Sequence, residues 1–284
     1  MLLNGIRIAS LLSALLICLL TGNFQTPNCL WILPAGYIGT YVILTGLGFS
    51  FLLYLCHRVD LTVPQEHDDP LYRRWAGYFV DSAMSLLKTR LHTSGLHLIP
   101  KTGRFMVVCN HRDIMDPVIV TKYFKHSQLA FISKKENVDM FIIGKMMHKT
   151  MCQMIDRENN REGLKTILNC IRLLKEDECS IGAFPEGYIT KDGKLHHFRS
   201  GIFKVAMKAK VPIVVCTIKG SENILKSAAH LKPVDCDFHV LGVISPEQYQ
   251  GKTSIDISSH IFRMMLADLG PEYAPDEEPE EAAE

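Results

Sequence analysis

Apolar positions dominate the start of the chain, and no Asp, Glu, Lys or Arg occurs from Ile8 to His57. The run Leu30 to Cys56 is long enough to cross a bilayer, since a helix of that length extends about 40 Å. A shorter run, Ile8 to Leu20, precedes it. We therefore predict that residues 1–58 are a membrane anchor of one or two transmembrane helices, with a helical hairpin favoured. The alternative is that the first run is a signal-peptide core, although a poor cleavage site follows it.

Basic residues flank this apolar region on both sides. Arg7 precedes it, Arg58, Arg73 and Arg74 follow it, and no basic residue lies between the two apolar runs. Positively charged flanks of membrane helices stay on the cytoplasmic side of a membrane. We therefore expect a protein of the cell membrane whose remaining chain faces the cytoplasm.

Residues 59–92 are predicted to be a linker followed by an amphipathic helix. Beyond a polar segment that ends at Pro70, apolar and small side chains recur at helical spacing: Leu71, Trp75, Tyr78, Phe79, Ser82 and Leu86. This stripe has two alternative locations, against the following domain or on the membrane surface. The pattern slightly favours packing against the domain.

From residue 93 to residue 270, short β-like runs alternate with helical patterns. The predicted strands are Gly95 to Ile99, Arg104 to Cys109, Leu129 to Ile132, Ser180 to Phe184, Ile213 to Ile218 and Phe238 to Ile244. The predicted helices are Asp116 to Phe124, Phe141 to Lys149, Arg161 to Glu176, Ile202 to Lys210 and Ile255 to Leu269. Such alternation predicts an α/β domain.

The net charge of +1 hides a split between this domain and the end of the chain. Residues 271–284 contain seven acidic residues and no Lys or Arg, and we expect a disordered acidic tail. Without it, 31 basic residues stand against 23 acidic ones. A basic body suits anionic lipid headgroups or phosphorylated substrates, or else is simply solvated.

Several classes of site find no support in the sequence. The nine cysteines include no CxxC pair, so neither a zinc site nor a disulfide framework is indicated. His196 and His197 are adjacent and would point to opposite faces of a strand, which disfavours a metal site. No nucleotide-binding glycine fingerprint occurs, and we expect no nucleic-acid partner.

Two polar blocks each follow a predicted strand. The first is Asn110-His111-Arg112-Asp113-Ile114-Met115-Asp116, and the second is Phe184-Pro185-Glu186-Gly187. Polar clusters at strand ends are how α/β enzymes build active sites. A histidine paired with a carboxylate removes a proton from a hydroxyl, which makes His111 a candidate general base and Asp116 its partner. The alternatives are that Asp116 merely caps its helix, or that Asp113 pairs with His111.

Two further blocks complete a pattern that resembles the glycerolipid acyltransferase family. They are Ile155-Asp156-Arg157 and Val211-Pro212-Ile213-Val214, and all four blocks occur in the family's order. The resemblance covers residues 95–243 and implies a mixed sheet flanked by helices.

The resemblance implies transfer of a fatty acyl group from an acyl carrier protein or coenzyme A thioester to the sn-2 hydroxyl of lysophosphatidic acid. The product is phosphatidic acid. The resemblance assigns His111 and Asp116 to catalysis and implies membrane lipids as partners. It requires no metal and no bound cofactor.

Substrate-binding residues are expected around these blocks. Asn110 and the amides after His111 are candidates for stabilising the oxyanion formed from the thioester. The resemblance implies that Arg157 binds the phosphate of the acceptor. Alternatively, Asp156, Glu158 or Glu162 would hold it in a structural ion pair. Glu186 and Gly187 match the family's acceptor-binding block. Alternatively, Glu186 supports the His111 region or forms only local bonds.

The chain departs from the family pattern after Gly187. The usual Thr-Arg-Ser is replaced by Tyr188-Ile189-Thr190, so a phosphate-binding arginine is missing. Lys191, Lys194 and Arg199 follow closely and are candidates to compensate. The change puts the acceptor in question, so an acyltransferase for another lysolipid is the first alternative. A non-catalytic membrane lipid-binding protein is the second.

Overall fold

The computed structural model describes residues 2–156, 159–228, 230 and 232–276, with only the backbone of Asn160. It begins with two antiparallel helices, α1 (Leu2–Leu20) and α2 (Cys29–His57). Both are long and apolar enough to cross a membrane, with mean hydropathy of 2.0 and 1.8. Gly36 lies against α1, since a Cβ atom there would come 3.3 Å from the Cα atom of Ala14. Such close helix contact through small residues is typical of membrane helices. Helices α1 and α2 therefore form the helical hairpin that the sequence predicts.

In the described part of the chain, seven strands form one sheet. They are β1 (Thr89–Ser94), β2 (Met106–Cys109), β3 (Ala130–Lys134), β4 (Gln153–Ile155), β5 (Ile181–Ala183), β6 (Ile213–Lys219) and β7 (Val234–Ile244). Their order across the sheet is β1-β7-β6-β2-β5-β3-β4. Among the strand pairs that the described residues form, only β6–β7 is antiparallel. The sheet is therefore mixed, as predicted.

Helices cover both faces of this sheet. After the hairpin they are α3 (Pro70–Leu86), α4 (Asp116–Tyr123), α5 (Phe141–Lys149), α6 (Asn160–Lys175), α7 (Lys204–Ala209), α8 (Ile224–Ala228), α9 (Pro246–Tyr249) and α10 (Ser254–Leu269). Along β2, Met106 and Val108 pack towards α6, α7 and α10, whereas Val107 and Cys109 pack towards α3, α4 and α8. This alternation is the two-residue period of a strand buried on both faces.

The predicted strand Gly95 to Ile99 is wrong. The chain forms β1 just before it and then turns into a short 3-10 helix, Leu96–Leu98. Gly95 has φ of +69°, and a Cβ atom there would lie 2.0 Å from the carbonyl oxygen of Val240. The strand therefore ends at a glycine because the backbone turns and passes β7 too closely for a side chain. The sheet accordingly begins within the region assigned to the linker, residues 59–92.

Helix α3 places its apolar stripe differently from the favoured expectation. Its buried residues are Tyr72, Val80 and Met84. The stripe residues Leu71, Phe79 and Leu86 are exposed, and the Trp75 ring lies 5.1 Å from the Phe51 ring of α2. Packing of the whole stripe against the α/β domain is therefore wrong, since the stripe faces the hairpin and the surface beside it.

The first residues of the acidic tail are ordered. Pro271–Tyr273 form a 3-10 turn, and the amide of Leu195 donates to the carbonyl oxygen of Tyr273 at 2.8 Å. The expected disorder is thus wrong for this turn, because backbone bonding and ring contacts fix it to the domain. Residues 277–284 of the predicted tail lie outside the described residues.

Candidate active site

The carboxyl ends of three neighbouring strands meet at one edge of the sheet. Strand β2 lies between β5 and β6 and runs parallel to both. The turn after β2 carries His111 and Asp116, and the turn after β5 carries Glu186 and Gly187. The two polar blocks therefore adjoin at this edge, where α/β folds place their ligand sites.

His111 and Asp116 form a hydrogen-bonded pair. The Nδ1 atom of His111 lies 2.9 Å from Oδ2 of Asp116, whose carboxylate is completely buried. The same oxygen accepts from the backbone amides of Arg112 at 2.6 Å and Asp113 at 2.8 Å. The competing carboxylate of Asp113 instead accepts from the Met115 amide at 3.0 Å. Three donors fix the Asp116 carboxylate, so it can hold the imidazole in one orientation.

Stacking fixes the plane of the His111 ring. It lies 4.1 Å from the Phe184 ring at an interplanar angle of 19°, and Phe184 in turn stacks on Phe131. The His111 side chain is 16% exposed, so the ring retains access to solvent. With a proton on Nδ1 directed at Asp116, the lone pair is on Nε2. The ring can therefore act as a base towards a bound hydroxyl.

Glu186 lies away from the surface, beneath the turn after β2 that carries His111 and Asp116, which we call the catalytic turn. Its side chain is 1% exposed, and Oε1 accepts from the backbone amide of His111 at 3.1 Å. Burial raises the pKa of Glu186 to about 8 because the charged form is poorly solvated there. This corrects the expectation that Glu186 binds the acceptor directly. A residue with so little exposure supports the His111 backbone instead.

Gly187 allows Arg199 to approach the turn after β5. Gly187 has φ of +80°, and a Cβ atom there would lie 3.0 Å from Nε of Arg199. The Arg199 amide also donates to the carbonyl oxygen of Pro185 at 2.9 Å. The exposed Arg199 is thus brought beside the turn after β5. Lys191 is exposed on the same loop, and Lys194 pairs with Asp276.

Asn110 has a structural task. Its side-chain nitrogen donates to the carbonyl oxygen of Ile218 at 2.9 Å, and its side-chain oxygen accepts from the Ile218 amide at 2.8 Å. The residue is 1% exposed. This corrects its expected oxyanion role, since both polar ends of the side chain tie β2 to β6. The amides of Arg112 and Asp113 are likewise engaged, by Asp116.

Arg112 is a site residue that sequence reasoning missed. Its side chain is 9% exposed and donates to the carbonyl oxygen of Gly193 in the loop after Gly187. Its guanidinium lies 5.2 Å from the centre of the Tyr273 ring and 3.3 Å from the Glu222 carboxylate. Arg112 therefore joins the catalytic turn, this loop and the start of the tail. No spacing in the sequence links these segments.

Thr190 adds a second connection between the loop and the catalytic turn. Its amide and its hydroxyl both donate to the carbonyl oxygen of His111, at 3.1 and 3.2 Å.

The predicted phosphate ligand Arg157 lies outside the described residues. Within the described ranges, no group of three or more His, Cys, Asp or Glu side chains is placed to hold a metal. His196 instead bonds Tyr188 and Asp192.

Known proteins resemble this chain in sequence and in fold. Residues 90–219 match the family model described as acyltransferase. A 1-acyl-sn-glycerol-3-phosphate acyltransferase of Chlamydomonas reinhardtii is 30% identical over 246 residues, which cover 81% of this chain and 72% of the relative. A probable 1-acyl-sn-glycerol-3-phosphate acyltransferase of Mycoplasma pneumoniae is 33% identical over 138 residues, 47% of this chain and 51% of that one.

The crystal structure of the 1-acyl-sn-glycerophosphate (LPA) acyltransferase PlsC from Thermotoga maritima shares the fold. The TM-score is 0.59 at 19% identity, covering 78% of this chain and 86% of that one. The likeness extends beyond the residues that the family model matches.

Proposed function

Because this chain belongs to the glycerolipid acyltransferase family, we propose that it acylates the free sn-2 hydroxyl of 1-acyl-sn-glycerol 3-phosphate, giving phosphatidic acid. The acyl donor is a thioester of acyl carrier protein or coenzyme A. The observation that carries the proposal is the His111–Asp116 pair, held at 2.9 Å at the carboxyl edge of the sheet. The algal relative's name supports the choice of acceptor.

The His111 ring performs the proton transfers in this proposal. Nε2 takes the proton of the acceptor hydroxyl as its oxygen attacks the thioester carbonyl carbon. The tetrahedral intermediate then collapses, the carbon–sulfur bond breaks, and the departing thiolate takes the proton back from the imidazolium. The Asp116 carboxylate stabilises the charged ring between the two steps.

Arg199 is the proposed replacement for the arginine missing at Ile189. Its guanidinium lies against Gly187, in the turn after β5 that adjoins the turn of His111, and the side chain is exposed. A guanidinium binds phosphate through two parallel hydrogen bonds, which a lysine cannot reproduce. Lys191 on the same loop and Arg157 beyond β4 would add positive charge. A lysolipid with a different headgroup is the second candidate acceptor, favoured by the lost arginine.

The two apolar helices support association of the enzyme with the membrane, where the proposed lipid substrates reside. The basic residues at the flanks support an anchor with both ends in the cytoplasm. The donor thioesters would then reach the site from the cytoplasm, while acceptor and product stay in the bilayer.

The test is acyl transfer by the purified full chain in lipid vesicles. Both donors are offered with lysophosphatidic acid and with lysolipids bearing other headgroups. The His111→Ala variant should lose turnover. His92→Ala is the matched control, because His92 forms an exposed pair with Asp235 at the same 2.9 Å.

Phosphatidic acid formed only when His111 is present would support the proposal. If only another lysolipid is acylated, the His111 mechanism would stand and that lysolipid would be the acceptor. Folded protein without transfer to any acceptor would refute the proposal and favour a lipid-binding role.

A further inference from the structure

Exposed apolar side chains continue from the hairpin onto the α/β domain. On α5 and the residue before it, Met140, Phe141 and Ile143 are exposed, with Phe141 at 52% of its full surface. On α3, Leu71 and Phe79 are exposed as well. Large apolar side chains grouped in this way mark a surface that contacts another apolar phase or partner.

Both helices pack against the last turns of α2. Met146 of α5 is buried in a cluster with Leu52, Leu55 and Cys56 of α2, and Ile142 packs against the same cluster. Helices α3 and α5 therefore flank the same end of α2.

Hydrogen bonding strengthens the contact between α3 and α2. The buried hydroxyl of Tyr72 donates to the carbonyl oxygen of Leu55 at 2.9 Å. One turn further along α3, the Trp75 ring packs against Phe51. A polar bond and ring packing together hold α3 at a fixed level along α2.

The level of this contact along α2 indicates where the bilayer ends. Residues Phe51 to Cys56 lie in the last two turns of α2, and the first Asp, Glu, Lys or Arg after them is Arg58. A transmembrane helix leaves the hydrocarbon region where charged residues begin. Elements packed sideways against these residues therefore lie at the depth of the membrane interface.

Charged groups near this surface are placed as an interface requires. Arg58 and Arg74 are exposed, and the Lys145 ammonium lies 4.5 Å from the centre of the Phe141 ring. Such side chains lay apolar stems on apolar surface and direct their charge to headgroups. Glu136 and Asp139 are exposed on the segment before Met140.

We propose that α3 and α5 form a membrane-docking surface beside the hairpin, with the bilayer as the partner and Met140, Phe141 and Ile143 inserted at the headgroup–acyl boundary. Amphipathic helices bury their apolar face at this depth. The hairpin holds the α/β domain through the contacts of α2 with α3 and α5. A second, lateral attachment fixes its orientation towards the bilayer. The proposal depends on the hairpin lying in the membrane and is independent of the acceptor's identity.

Tryptophan fluorescence of the full chain in phosphatidylcholine–phosphatidylglycerol vesicles tests the insertion directly. A single tryptophan is introduced by Phe141→Trp in a background with Trp31→Phe and Trp75→Phe. The matched control in the same background is Ile255→Trp, at an equally exposed isoleucine on α10, which packs on the opposite face of the sheet from α3.

Lipids brominated high on the acyl chain should quench the fluorescence of the Phe141→Trp protein strongly and leave the Ile255→Trp protein bright. Aqueous acrylamide should do the reverse. Equal quenching of the two proteins by acrylamide, with no effect of brominated lipid on the Phe141→Trp protein, would overturn the proposal.

Kinetics provide a second readout. The double variant Phe141→Ser with Ile143→Ser should raise KM for an acceptor embedded in vesicles while kcat/KM for a short-chain, water-soluble acceptor stays unchanged. Ile255→Ser should change neither value. Unchanged vesicle kinetics, or an equal loss on both acceptors, would contradict docking. Failure of the proposed acyl transfer would leave the fluorescence result intact, so the two hypotheses fail separately.

Discussion

Glu186 should make the stability of this protein fall as the pH rises towards 8. Its pKa is raised to about 8 by burial, whereas a glutamate in the unfolded chain titrates at about 4.3. Between these values the folded state holds one proton more than the unfolded state. Stability is therefore greatest below the unfolded pKa and decreases as the pH passes through the window up to the folded pKa.

The size of this effect follows from the proton difference. One extra bound proton lowers the free energy of unfolding by about 1.4 kcal/mol per pH unit within the window. For a chain of this size that corresponds to roughly 3 °C of melting temperature per pH unit. Glu186→Gln keeps the shape of the protonated acid and an oxygen for the His111 amide. The variant should therefore lack this part of the pH dependence.

The assay is thermal unfolding of wild type and Glu186→Gln in detergent micelles, followed by intrinsic fluorescence from pH 5 to pH 8. The melting-temperature difference between the two proteins is the quantity of interest, because it cancels other titrating groups. One of these is His148, whose pKa is lowered by burial. Glu66→Gln, at an exposed glutamate, is the control. The advantage of Glu186→Gln should grow steadily with pH, and parallel curves for the two proteins would refute a protonated Glu186.

Three further variants test the geometry of the site. Asp116→Asn should lower kcat by about 10³-fold or more, since the amide no longer stabilises the charged His111 ring; a loss below about tenfold would contradict the pairing. Gly187→Ala should cost about 1–2 kcal/mol in unfolding experiments and displace Arg199; a melting temperature equal to wild type would argue against the strained turn. Asn110→Ala should destabilise by roughly 2–4 kcal/mol through two buried hydrogen bonds; reduced activity with unchanged stability would restore a direct catalytic role.

The sequence by itself determined those features whose causes are local. The charge-free runs predicted both helices of the hairpin, because length and apolarity alone decide whether a helix can cross a bilayer. The block after β2 made Asp116 and Asp113 candidate partners of His111, because residues of one turn lie close together wherever the turn lies, and the family resemblance favoured Asp116. The central strands were found as apolar runs, since both of their faces are buried.

Tertiary structure alone decided the contacts that depend on strand order. Glu186 reaches the His111 amide across 75 residues of chain, and Asn110 reaches Ile218 across 108. Both contacts exist because β2 lies between β5 and β6. No local sequence pattern encodes this order of strands. For this reason Glu186 and Asn110, assigned to substrate binding from their motifs, are buried residues that support the site.

The same reason explains β1 and α3. Strand β1 is an edge strand whose residues are mostly exposed, so it lacks the apolar run that identified the central strands. Helix α3 has apolar residues on more than one face, and the pattern could not say which face meets the domain. The position of α2 decides which face is buried: the Trp75 ring packs against Phe51 of α2, and the Tyr72 hydroxyl donates to the carbonyl oxygen of Leu55. Periodicity fixes which residues share a face, whereas the partner of each face follows from how the whole chain packs.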